Sequence, residues 1–165
     1  MSNSLLVSGL FFNGIWFTTV VMQSALLGLL VCFAWLLINQ PNKSEFAFTL
    51  VIAVLGLAVD GFLTYQGWMN FVDSVWLPAW LFVLWLGFAR FSYQWLQHMK
   101  LHPLLQLLLF CGAATLNYAA GERLGAASIQ WQSLGYTALF LAWWLAFIPI
   151  CEFFMGRIPW LKSAH

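Results

Sequence analysis

Asp60 stands inside the apolar run Val51-Ile-Ala-Val-Leu-Gly-Leu-Ala-Val-Asp60-Gly-Phe-Leu63. A carboxylate at mid-bilayer costs roughly 2.5–3.5 kcal/mol on insertion scales, so it must face protein or a wet cavity. Helical spacing agrees: Thr49, Ala53, Gly56, Asp60, Thr64 and Gly67 form one small or polar stripe, and Ile52, Leu55 and Phe62 fall elsewhere. Either this acid pins helices together, or it meets a substrate, a proton or an ion.

A second cluster, Asn117, Tyr118, Glu122 and Arg123, closes another apolar segment. Gly121-x-x-x-Gly125 is a small-x-x-x-small pattern, so packing explains its glycines and alanines but not four polar side chains together. With Asp60 they make the candidate polar cavity. Arg123 is the expected ionic partner of Asp60, because guanidinium offers a carboxylate a bidentate fork. Tyr118 or Asn117 is the alternative, as a hydrogen-bond partner. Asn13, Trp16 and Gln23 follow helical spacing near the N-terminus and are secondary candidates; intramembrane amides usually bond a neighbouring helix.

Other chemistry is thinly represented. His98 and His102 have a metal-compatible spacing, but Lys100 and Pro103 indicate a turn, so no metal site is expected. Cys32, Cys111 and Cys151 lie in apolar runs without a C-x-x-C pair and read as buried thiols. No H-E-x-x-H, Walker loop or G-x-S-x-G occurs, and three histidines are too few for a di-iron desaturase. No cofactor is implied, and no catalytic residue can be assigned.

The elements that must position these residues follow from composition. Of 165 residues, 63% are hydrophobic and 7% charged, with a net charge of +1, against roughly 45–50% and 25% in soluble domains. Mean hydropathy is +0.86. Six basic and five acidic residues cannot cover a water-soluble surface. A soluble enzyme, a disordered tail and a nucleic-acid binder with a basic face are excluded. The expectation is one integral membrane domain over residues 1–165, all-α, a polytopic transmembrane bundle of six helices.

The apolar stretch Leu5–Ile38 would be roughly 50 Å long as one helix, too long for a single span. It is expected to be a hairpin broken near Met22-Gln23-Ser24; an unbroken stretch would leave five helices. Asn39 to Glu45 is a polar turn. The third helix is predicted over Phe46–Tyr65 and a loop over Gly67–Asp73. The fourth starts near Pro78 and ends near Gln97. After the turn Gln97–Pro103, the fifth covers Leu104–Ala120, and Gly121–Trp131 is a loop or partly helical connection. The sixth covers Leu134–Phe154, bent by Pro149, before a basic interfacial tail, Arg157 to Lys162.

With six spans, Lys43, Arg90, Lys100, Arg157 and Lys162 share one side and only Arg123 lies on the other, which makes both termini cytoplasmic. The first helix lacks the basic flank and cleavage site of a signal peptide and is expected to stay. Trp68, Trp76, Trp80 and Trp131 fall at the outer interface, Trp35, Trp95 and Trp160 at the inner, and Trp16, Trp85, Trp143 and Trp144 deeper. No internal repeat is visible.

The pair Asn13/Trp16, the segment Leu55-Gly-Leu-Ala-Val-Asp60-Gly, the segment Pro78-Ala-Trp80 to Ala89, and Tyr118-Ala-Ala-Gly121-Glu-Arg123-Leu-Gly125-Ala126 carry a resemblance over nearly the whole chain. The sequence resembles a family of small, uncharacterised bacterial inner-membrane proteins, a domain-of-unknown-function family. That family often has Gly-Pro ahead of the tyrosine; this chain has Ala114-Thr115, so the resemblance does not carry a proline kink across. It implies an accessory protein that accompanies lipid-modifying enzymes such as fatty-acyl methyltransferases. The partners expected are membrane lipids, and a lipid-modifying enzyme or a second copy of the chain, with no nucleic acid. The alternatives are a small membrane enzyme acting on lipid beside Asp60, Tyr118, Glu122 and Arg123, and an oligomeric transporter or channel.

Overall fold

A computed structural model describes residues 3–72 and 74–157; Asp73 and the tail beyond Arg157, with Trp160 and Lys162, lie outside the described residues. Six α-helices form: α1 (Asn3–Trp16), α2 (Ala25–Ile38), α3 (Lys43–Tyr65), α4 (Ala79–His98), α5 (Pro103–Arg123) and α6 (Leu134–Arg157). Among the described residues, three stretches are long and apolar enough to cross a membrane: α3, α5 and Leu134–Gly156 of α6. At 14 residues each, α1 and α2 are about 21 Å long. Central α4 packs on α1, α2 and α3 and buries Arg90, Ser92 and Gln94.

The long first stretch does break where expected, without proline or glycine. From α1 the chain passes into a π-helical turn, Phe17–Val21. There Thr18 and Thr19 hydroxyls donate back to the Gly14 and Ile15 carbonyls at 2.9 and 2.7 Å, bonds that bend a helix. Gln23 then takes φ 49°, a left-handed value that a side chain adopts at some cost. Ser24 starts α2 by accepting from the Leu27 N–H at 3.3 Å.

Two short strands interrupt the all-α expectation. β1 (Met69–Phe71) lies in the connection between α3 and α4, and β2 (Ala127–Ile129) in the connection between α5 and α6. They pair antiparallel, Met69 with Ile129, Asn70 with Ser128 and Phe71 with Ala127. Both helices that lead into the strands end alike. Gly67 (φ 70°) and Gly125 (φ 74°) adopt the left-handed conformation. The Trp68 and Ala126 N–H groups return to the Leu63 and Gly121 carbonyls at 3.0 and 2.9 Å, the double-bonded glycine stop of a Schellman motif.

A repeat therefore exists in the order of elements. The 58-residue interval that separates Asp60 from Tyr118 also separates the two stop glycines and the two strands. The missing proline agrees with a continuous α5.

Candidate functional site

The site is built from Gly56 outward. A Cβ there would fall inside the indole of Trp85 on α4, so glycine lets that ring lie against α3. The ring is 4% exposed and aims its Nε1–H at Asp60 Oδ2, 2.6 Å away. Tyr118 of α5 donates its hydroxyl to the other oxygen, Oδ1, at 2.6 Å. Asp60 is 1% exposed. One carboxylate thus ties three helices together. It sits five residues before the end of α3, roughly 7.5 Å along the axis, at the ribbon end of the bundle.

A half-open cleft begins at this node. Phe12, Trp16 and Val20 form one wall, Trp80, Leu84 and Phe88 of α4 another, and Trp144 of α6 closes the back. Met69, Phe71, Ala126, Ala127 and Ile129 roof it. Strand alternation makes the roof: Met69, Phe71 and Ile129 are buried, while Asn70 and Ser128 face away. Within and beside the lining, Trp85 stacks with Trp144 at 6.3 Å and Tyr118 meets Phe140 edge-on at 5.2 Å.

Arg123 does not pair with Asp60. Its side chain is exposed, and it lies five residues past Tyr118 at the last turn of α5. A cation there reaches water more cheaply than the buried acid, and two neutral donors already serve that acid. Glu122 also stays out of the Asp60 node. It accepts from the Ile129 N–H at 3.0 Å and from Trp131 Nε1–H at 2.6 Å, fastening β2 to the end of α5. Asn117 lines the cleft but spends its amide N–H on the Ala113 carbonyl at 2.8 Å.

The secondary candidates divide. Trp16 is in the cleft wall. Gln23 donates to the Gly125 carbonyl at 3.3 Å, linking the first hairpin's break to the ribbon. Asn13 is exposed and bonds only within its own helix, to the Gly9 carbonyl at 2.8 Å. Gly121 is buried but not tightly gripped: a Cβ there would meet Val20 Cγ1 at 3.7 Å, an ordinary contact.

A second polar node went unseen in the sequence. Arg90 of α4 donates from Nε to Glu45 Oε1 at 2.8 Å and from Nη2 to the Asn39 carbonyl. Its guanidinium lies 4.2 Å from the centre of the Trp35 ring, a cation–π contact. Arg90 and Glu45 are 5% and 3% exposed. Glu45 is therefore a core residue of α3, 15 residues from Asp60, roughly 22 Å along the helix.

Comparison with known sequences adds one finding. Residues 5–150 match the profile described as protein of unknown function, DUF2878. The chain belongs to the DUF2878 family. No curated protein and no solved structure matches it. Among the described residues of this DUF2878 protein, no group of three or more His, Cys, Asp or Glu could hold a metal ion. The polar groups gathered at the Asp60 node are that acid, the Tyr118 phenol and the Trp85 indole N–H.

Proposed function

We propose that this DUF2878 protein binds an amphiphile, a membrane lipid, in the cleft under the ribbon, and serves as an accessory protein for lipid handling or lipid modification in the bacterial inner membrane. The observation that carries this reading is a half-open cleft with apolar walls and one buried carboxylate at its end. Apolar clefts with a few placed polar groups are the usual form of a small-molecule site. Here the walls suit an acyl chain, and Asp60, Tyr118 and Asn117 suit its polar end. With Arg90 paired to Glu45 inside the bundle, the remaining basic residues, four against one, support cytoplasmic termini and a cleft towards the outer leaflet.

Native mass spectrometry and lipidomics of the purified chain test this. A defined lipid should co-purify with the wild type and be depleted in Asp60→Asn. A lipid-free, stable oligomer would reject the reading in favour of a channel or transporter. The Tyr118–Asp60 hydrogen bond of 2.6 Å favours a second reading, in which this pair moves a proton on the bound lipid and the protein is itself a lipid-modifying enzyme.

A further inference from the structure

Resting on the amphiphile reading above, we infer that the cleft selects a ligand whose head is a positively charged ammonium group carried on an apolar chain. Both hydrogen-bond donors to Asp60, Trp85 Nε1 and Tyr118 Oη, are neutral. They leave open about half of the lone-pair sites a carboxylate offers. Among the described residues no basic side chain supplies the missing charge. Arg90 is committed to Glu45 near the far end of α3, and Lys43, Lys100 and Arg123 are exposed. Buried acids are found paired or facing water, and in this cleft a cationic ligand is the partner that completes the pair.

The walls point the same way. Trp16, Trp80, Trp85, Tyr118 and Trp144 all line the cleft. Aromatic faces carry negative quadrupole density and attract a desolvated ammonium, most strongly when several surround it. An anionic head would meet Asp60 with repulsion. A sugar-like head would find little beyond Asp60, Tyr118 and Asn117 to satisfy its hydroxyls. A zwitterionic lipid with an ethanolamine or choline head and a free amphiphilic amine share the ammonium and the chain, and either source meets the requirement.

Three probes with one brominated chain test the head group on the full-length protein in maltoside detergent: ω-bromoundecyl trimethylammonium, ω-bromoundecanol and ω-bromoundecanoate. Bromine quenches tryptophan fluorescence, and four of the wall residues are tryptophans. The ammonium probe should quench saturably, at least about tenfold tighter than the alcohol, the size expected of a desolvated cation–π contact with a carboxylate beside it. The carboxylate probe should bind weakest. Asp60→Asn should erase the preference, whereas Tyr118→Phe should keep it. Should Asp60→Asn not fold, the head-group series on the wild type decides alone.

Equal affinity for ammonium and alcohol overturns the inference while leaving an amphiphile site standing; so does an ammonium preference that survives Asp60→Asn. No saturable quenching by any probe removes both. Competition then separates the sources. Displacement of the probe by short-chain phosphatidylcholine or phosphatidylethanolamine, but not phosphatidylglycerol, identifies a lipid head. Displacement by alkylammonium alone identifies a free amine. Either upholds the ammonium requirement.

Discussion

Gly56→Ala and Gly121→Ala are the same chemical change on two helices, and the structure gives them opposite signs. Each alanine gains roughly 0.5–1 kcal/mol of helix preference over glycine. At Gly121 nothing opposes that gain, because the new methyl would meet Val20 at an ordinary 3.7 Å. At Gly56 the methyl would enter the Trp85 ring. The ring is wedged between α3 and Trp144, and moving it also breaks its bond to Asp60. Overpacking costs about 1–3 kcal/mol, and a hydrogen bond inside a membrane bundle averages about 0.6 kcal/mol with a maximum near 1.7.

The net loss for Gly56→Ala is about 2 kcal/mol once the helix gain is offset. That corresponds to roughly 4–8 °C for a chain of this size, against no loss or a small rise for Gly121→Ala. Thermal unfolding in detergent, followed by tryptophan fluorescence, measures both. Because the cost is assigned to one ring, Gly56→Ala should become harmless in a Trp85→Leu background, a coupling that a double-mutant cycle reads directly. A Gly56→Ala melting point equal to or above that of Gly121→Ala would refute the packing of the site, as would an undiminished loss in the Trp85→Leu background.

At the Asp60 node, Tyr118→Phe and Asp60→Asn should each destabilise by about 0.5–2 kcal/mol, and the double variant should lose less than the two together. Additive losses in detergent melts would mean the hydroxyl and the carboxylate do not bond. At the other node, Arg90→Met or Glu45→Gln should cost about 3–5 kcal/mol by leaving a buried charge unpaired. The Arg90→Met/Glu45→Leu double variant should recover much of that, and equal melting points for single and double variants would contradict it. For orientation, cysteine placed at the exposed position Gln130, with native cysteines removed, should label from outside intact cells, and cysteine at exposed Gln40 only after permeabilisation. The reverse pattern would invert the protein in the membrane.

What the sequence made legible was local. The break at Met22 to Ser24 followed from a length that no single span can use. The small stripe through Gly56 and Asp60 followed from helical period, and the structure buries Ala53, Gly56 and Asp60 together. The partner of Asp60 did not follow. Charge alone points to Arg123, but the last turn of α5 is a short distance from water, and a phenol and an indole already serve the acid. Arg90 reads from the sequence as one more cation on the side of Lys43 and Lys100. Its partner lies 45 residues away, and nothing local announces a pair across helices. The ribbon escaped because three-residue strands are too short for alternation to rise above chance. The paired stop glycines, Gly67 and Gly125, were the available signal.

Those glycines, the strands and the Asp60–Tyr118 pair share one interval, and the antiparallel register fixes what this means geometrically. Exchanging the two strands maps the Met69–Ile129 pair onto the Ala127–Phe71 pair and leaves Asn70 opposite Ser128. The ribbon therefore has a local approximate dyad through its centre, and the 58-residue interval sets the order α3–β1–α4 beside the order α5–β2–α6 along the chain. Positions 60 and 118 correspond across that interval, and they touch. Strict symmetry would have set acid against acid, or phenol against phenol, at that contact. The site exists because the two halves differ there: one half contributes the acceptor and the other its donor, so the polar end of the cleft depends on that difference.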